Sequence, residues 1–210
     1  MEKKLISLQL PIKLTFTLAL FIFAIIFPLL IFAQNTDIDL LKHLNQNRSR
    51  HLDPIFIGIT HTAGPLAFGL PLVLLGIGLA KRKRLLKRKA LFIITSVLLA
   101  VIVTSSLKYS INRPRPFETY TFIEKVTSGG SPSFPSGHTT DAFVLATALS
   151  LAFPRKSITI ISFLWALIIA YSRMGLGVHY PADVAIGALV GISAAFIIYF
   201  IMTRKRWLPE

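Results

Sequence analysis

Long apolar stretches separated by clusters of basic residues dominate this 210-residue chain. Stretches of about 17–20 residues recur along it, the length an α-helix needs to cross a hydrocarbon core. In a bilayer every backbone N–H and C=O must be satisfied within the protein, and open, single-chain spans achieve this only as helices. The expected fold is therefore all-α: a polytopic membrane protein with six transmembrane helices in a single bundle. The spans are read at about residues 11–33, 58–80, 90–107, 137–153, 158–172 and 183–202. With no internal repeat, low-complexity segment or soluble domain, residues 1–210 read as one membrane-embedded domain.

The first stretch follows Lys3 and Lys4, as the core of a secretory signal would. It is longer than a typical signal core, and Ile31 stands where a small residue would precede a cut after Ala33. It is therefore read as a retained span. Basic residues set the orientation. Lys81, Arg82, Lys83, Arg84, Lys87, Arg88 and Lys89 fill the connection between spans two and three. Arg155 and Lys156 follow span four, and Arg204, Lys205 and Arg206 follow span six. In a six-span chain all of these share one side with Lys3 and Lys4. The positive-inside rule makes that side cytoplasmic, with both termini inside and the loops near 34–57, 108–136 and 173–182 outside. A bacterial inner (plasma) membrane suits this layout. The net charge of +14 is distributed as topology anchors rather than as a basic face with aromatic platforms, which argues against a nucleic-acid partner.

Polar residues of unusual chemistry gather on the expected outer side. Lys108 precedes Arg115-Pro116, Pro135-Ser136-Gly137-His138 opens the fourth span, and Ser172-Arg173 leads to His179 and Asp183. Ionisable groups near membrane depth are costly, so their convergence marks a candidate site. Three cations, Lys108, Arg115 and Arg173, call for a multiply charged anion, and phosphate suits both the guanidinium fork and the ammonium point charge. Ser136-Gly137 at a helix start offer free N–H groups and close backbone approach. His179 and Asp183, four residues apart, would lie one turn apart on one helical face, where a carboxylate can fix the imidazole tautomer. Pro181 suits the first turn of such a helix. His138 supplies a second imidazole to protonate a leaving oxygen. The chain contains no cysteine, which removes disulfides, zinc–thiolate sites and a cysteine nucleophile. The polar set needs neither a metal nor a cofactor.

These residues resemble the three signature motifs of the type 2 phosphatidic acid phosphatase family, a superfamily that also contains the vanadium haloperoxidases. Lys108 to Pro116 resembles the first, Pro135-Ser136-Gly137-His138 the second, and Ser172-Arg173 with His179 and Asp183 the third, in the right order and spacing. The resemblance implies a membrane lipid phosphatase acting through a phosphohistidine. In it His179 is the nucleophile, Asp183 its orienter and His138 the general acid, while Lys108, Arg115, Ser136, Gly137 and Arg173 hold the phosphate oxygens. The implied partners are the bilayer and a lipid phosphate or diphosphate. Undecaprenyl diphosphate, phosphatidylglycerol phosphate, phosphatidic acid and lipid A phosphates are all compatible, and the sequence does not choose among them or fix an oligomeric state. A vanadate-dependent peroxidase is disfavoured by the six spans, because those relatives are soluble. An anion channel would leave the nucleophile–orienter–acid set unexplained.

Other polar residues read more plainly. His43, His51 and His61 are expected to be packing or hydrogen-bonding residues. Arg113, inside the first motif but off its defining positions, is expected to be solvated or to face headgroups. Asp141 is read either as an acid stabilised at a helix start or as a partner to a phosphate-binding cation.

Overall fold

The computed structural model describes residues 34–208, so the expected first span lies outside the described residues. The described residues form helices and connecting loops, with no strand among them. In chain order the helices are α1 (Gln34–Gln46), a 3-10 turn (Arg50–Leu52), α2 (Asp53–His61), α3 (Ala63–Ala80), α4 (Arg84–Ile111), α5 (Pro116–Thr119), α6 (Gly137–Ala152), α7 (Lys156–Gly175) and α8 (Pro181–Arg204).

Four helical stretches among these residues are long and apolar enough to cross a membrane: Arg50–Ala80, Arg84–Thr119, Lys156–Gly175 and Pro181–Arg204. They match the second, third, fifth and sixth expected spans. The fourth, α6, has 16 residues. At 1.5 Å per residue it is about 24 Å long, short of a hydrocarbon core of about 30 Å. The shortfall goes with its position: α6 is the inner helix, packed by α4, α7 and α8 and less extensively by α3.

The expected outer loop at 34–57 is not all loop. It contains α1 and the start of α2, where Asp53 and Pro54 occupy the first turn. Helix α1 is too polar to announce itself by hydropathy. Leu41 fixes it, fully buried in a small cluster with Ile123 and Tyr180. Helices α4 and α7 also outlast their apolar stretches, reaching Ile111 and Gly175. Their hydrogen-bond ladders continue through Lys108 and Arg173, which places those cations on rigid helix ends.

The outer surface carries large apolar side chains. Leu72, Ile102, Ile161, Leu167 and Phe196 are all exposed, as lipid-facing residues would be. The interior instead favours small and hydroxylated residues. On α6, Thr139, Thr140, Ala142, Ala146, Thr147 and Ala148 are buried. Their hydroxyls are satisfied nearby: Thr140 accepts from Thr104 on α4 at 3.3 Å, and Thr147 donates to the Phe143 carbonyl at 2.8 Å. Without a hydrophobic force between helices in lipid, close approach and such hydrogen bonds hold a bundle together.

Helices α6 and α8 approach each other closely. Gly187 and Gly191, one turn apart on α8, lie against the backbone of α6. A Cβ at Gly191 would stand 2.6 Å from the Thr140 carbonyl oxygen and 2.7 Å from the Val144 nitrogen. At Gly187 it would stand 2.7 Å from the Ser136 carbonyl oxygen. Gly191→Ala should therefore force the two helices apart and destabilise the protein by about 1–3 kcal/mol. Gly76→Ala on α3, where a Cβ meets nothing within 4 Å, should not destabilise it. Thermal unfolding of the two variants in detergent measures the contrast.

Candidate active site

The chain builds the first cluster by stopping α4 sharply. Lys108 sits in its last turn, and Asn112 ends it in the left-handed conformation, φ 48°, with its N–H bonded to the Lys108 carbonyl at 2.9 Å. The chain then enters α5, with Arg115 as N-cap and Pro116 in the first turn. Both cations reach across to the loop before α6. Lys108 Nζ donates to the Pro132 carbonyl at 2.6 Å, and Arg115 Nε donates to the Ser131 carbonyl at 2.8 Å.

In the second cluster Ser136 is the N-cap of α6. Its own N–H donates to the Asp183 carbonyl at 3.0 Å, joining the start of α6 to the start of α8. The Ser136 hydroxyl is fully buried and accepts from Thr139 at 2.9 Å.

The third cluster lies on the bend between α7 and α8. Arg173, 2% exposed, donates from Nη1 to Thr60 Oγ1 at 3.2 Å and from Nη2 to the Ser128 carbonyl at 3.4 Å. The bend needs a glycine: Gly177 has φ +75°, and a Cβ there would collide with the Glu124 carbonyl oxygen. Asn45 on α1 holds the same region from the other side. Its Nδ2 donates to the carbonyls of Glu124 at 3.0 Å and Gly175 at 2.9 Å, and its Oδ1 accepts from the Glu124 N–H. Helix α8 then begins with Tyr180 as N-cap, Pro181 in the first turn, and Asp183 accepting the Tyr180 N–H at 3.0 Å. Asp183 is thus both a helix-capping residue and a neighbour of His179, whose Nδ1 lies 3.5 Å from Asp183 Oδ2.

The three clusters meet around a cavity of about 210 Å³. Lys108, Arg115, Gly137, His138, Arg173 and His179 line it, together with the main-chain loop from Ser128 to Ser131. His179 turns Nε2 toward Arg115, with Nη1 at 3.3 Å, while Arg115 Nη1 also donates to the Val178 carbonyl at 2.8 Å. Arg173 Nε is buried with no hydrogen-bond partner, an unsatisfied donor in a cation-rich wall that an anionic oxygen would satisfy. Burial pushes the His179 imidazole down from its ordinary 6.5 to about 4, against the upward pull of Asp183. At neutral pH this ring is neutral and holds a lone pair.

Six of the eight residues expected at the site thus line one cavity. Ser136 and Asp183 stand just behind it and act on the wall through the start of α6 and through His179. Arg113 is placed differently from its expected headgroup-facing role. Its Nη1 lies 2.8 Å from Asp183 Oδ1 and its guanidinium 3.7 Å from the centre of the Tyr180 ring. A fully buried carboxylate draws the nearest available guanidinium. Asp141 is half-buried on α6, and His43, His51 and His61 are exposed rather than packed. His43 bonds Asn47 at 3.0 Å. Sequence reasoning missed Ser133, Thr60, Asn45 and the Ser128–Pro132 carbonyls. Ser133, two residues before Pro135, stood close enough to the second cluster to be suspected. The carbonyls leave no trace in side-chain identity.

The PAP2 superfamily matches residues 89–207, which includes all three clusters. A lipid A 4'-phosphatase of Porphyromonas gingivalis is 34% identical over 133 residues, 58% of this chain and 56% of that protein. The crystal structure of Aquifex aeolicus LpxE superposes with a TM-score of 0.66 at 33% identity, covering 78% of this chain and 94% of that one. That of a transmembrane PAP2-type phosphatidylglycerolphosphate phosphatase from Bacillus subtilis gives 0.73 at 25% identity, covering 89% and 96%. With a family match over more than half its length and the family's three motifs around one cavity, this chain belongs to the PAP2 superfamily.

Proposed function

We propose that this protein is a multi-pass membrane lipid phosphatase that hydrolyses a lipid phosphate or diphosphate through a phosphohistidine. The observation that carries this reading is the meeting of two imidazoles and three cations on one small cavity. His179, with Nδ1 toward Asp183, attacks phosphorus from Nε2. The P–O bond to the lipid breaks as His138 gives its proton to the leaving oxygen. Lys108, Arg115 and Arg173, with the N–H groups at Gly137, surround the phosphoryl oxygens as charge develops there, and Ser136 frames that helix start. Water, deprotonated by His138, then attacks phosphorus, the P–N bond breaks, and inorganic phosphate leaves with His179 restored. The sequence of steps calls on no metal, and the cationic wall would repel one.

The site belongs to the outer side in this reading. The basic turn at 81–89 and Lys108 occupy opposite ends of α4, and the roughly 20 residues from Arg88 to Lys108 span about 30 Å. A phosphate at the outer surface can then enter the cavity while its lipid chains stay in the bilayer. The names of the relatives make lipid A phosphates and phosphatidylglycerol phosphate substrates to test, beside phosphatidic acid and undecaprenyl diphosphate.

Purified protein in detergent should release phosphate from at least one member of that panel, in the presence of EDTA, and His179→Ala should reduce the rate to background. Release that depends on an added divalent metal, or persists in a folded His179→Ala protein, contradicts the reading. The two histidines should separate by leaving group. His138→Ala should lose about 10²–10⁴-fold on an alkyl phosphate and far less on nitrophenyl phosphate, whose leaving oxygen needs little protonation. His179→Ala should lose both. A third measurement follows from the burial of His179. In ¹⁵N NMR of imidazole-labelled protein without substrate, its ring should stay neutral at pH 5.5, where an ordinary histidine is mostly charged, and take its proton only near pH 4.

A further inference from the structure

The Asp183 carboxylate is held at both oxygens. Oδ1 takes Arg113 Nη1 at 2.8 Å. Oδ2 takes the Ser133 hydroxyl and the Tyr180 N–H at 3.0 Å, with His179 Nδ1 more distant at 3.5 Å. Ser133 and Arg113 are themselves joined, since the Ser133 N–H donates to the Arg113 carbonyl at 2.8 Å. Ser133 is fully buried, and its Oγ also lies 3.5 Å from His179 Nδ1.

A separation of 3.5 Å is long for a charge-assisted hydrogen bond, normally about 2.7–2.9 Å. The carboxylate alone therefore holds the imidazole loosely. Ser133 adds a second contact to Nδ1 at the same distance. Its single proton is committed to Asp183, so it faces Nδ1 with a lone pair and gives an Nδ1 proton a second acceptor. Two acceptors on that side favour the tautomer with the proton on Nδ1 and the lone pair on Nε2, toward the cavity. The arrangement holds only while Asp183 is ionised. A protonated Asp183 would become a donor, free the Ser133 proton to turn toward Nδ1, and favour the opposite tautomer. His179 is neutral at rest, so Arg113 is the cation in direct contact with this buried anion, while Lys108 and Arg115 act on it from further away.

We propose that Arg113 and Ser133 form a carboxylate clamp that keeps Asp183 ionised and so sets the tautomer of the His179 nucleophile. The inference rests on the reading of His179 as nucleophile. Both are positioning residues: neither lines the cavity, and each acts through Asp183.

The test compares wild type with Ser133→Ala, Arg113→Ala and Arg113→Lys. Imidazole ¹⁵N NMR, with the His179→Ala spectrum for assignment, reads the tautomer. Kinetics on dioctanoyl phosphatidic acid in detergent read kcat and KM. Wild type should show the Nδ1–H form of His179, and Ser133→Ala a mixture of tautomers. The kcat of Ser133→Ala should fall by roughly 10–100-fold with little change in KM, as for loss of an orienting hydrogen bond behind a functional histidine. Arg113→Ala should lower kcat with little change in KM and mix the tautomers, and Arg113→Lys should restore much of both. A merely structural role would lower the melting temperature without moving the tautomer. Wild-type tautomer and kcat in folded Ser133→Ala overturn the clamp, and that variant removes only one oxygen if Arg113→Ala fails to fold. Should wild type hydrolyse neither this lipid nor any other of the panel, the functional reading is what suffers, and the tautomers still decide the clamp.

Discussion

Everything at the candidate site depends on how closely α8 can lie against α6. Lipid offers helices no hydrophobic reward for meeting, so backbone proximity supplies the attraction. Gly187 and Gly191 remove the side chains that would keep the backbones apart. The approach brings the Ser136 N–H to the Asp183 carbonyl at 3.0 Å, so that two helices start from nearly the same point. Their first turns carry His138 on one side and Asp183 on the other, so helix packing places His138 and the carboxylate beside His179, while His179 itself sits on the bend just before α8.

Charge is the second constraint. Lys108, Arg115 and Arg173 crowd one cavity, and the carboxylates near them are already engaged, Asp183 by Arg113, Ser133 and the Tyr180 N–H and Glu118 by the Arg115 N–H. The cations are left to lean on neutral acceptors: Lys108 on Pro132, Arg115 on Ser131 and Val178, Arg173 on Thr60 and Ser128. Carbonyls position a cation without cancelling its charge. The wall stays electropositive, the state that the proposed phosphate substrate would require.

Much of this was legible in the sequence because the informative residues lie at fixed helical offsets or at helix ends. The spacing of His179 and Asp183, Pro181 in the first turn and Ser136-Gly137 before an apolar run all dictate geometry locally. Hydropathy located α3, α4, α7 and α8 for the same reason. It located α6 too, whose 16 residues pack among the other helices, and it passed over α1, whose sequence is mostly polar. Arg113 was misplaced because its partner is 70 positions away. Asn45 was not singled out at all, since its acceptors are carbonyls of residues 124 and 175. Long-range hydrogen bonds to main chain have no local signature.

The loop from Ser128 to Pro132 shapes the cavity chiefly through its backbone, lending a carbonyl to each of the three cations. Any amino acid supplies that oxygen, although a Cβ at Gly129 would press on the Arg115 guanidinium at 2.5 Å. The grip on the cations therefore depends on the path of the loop more than on the side chains of Ser128, Ser131 and Pro132. Under the proposed function, those side chains could be exchanged to greet a different headgroup while each cation keeps its carbonyl.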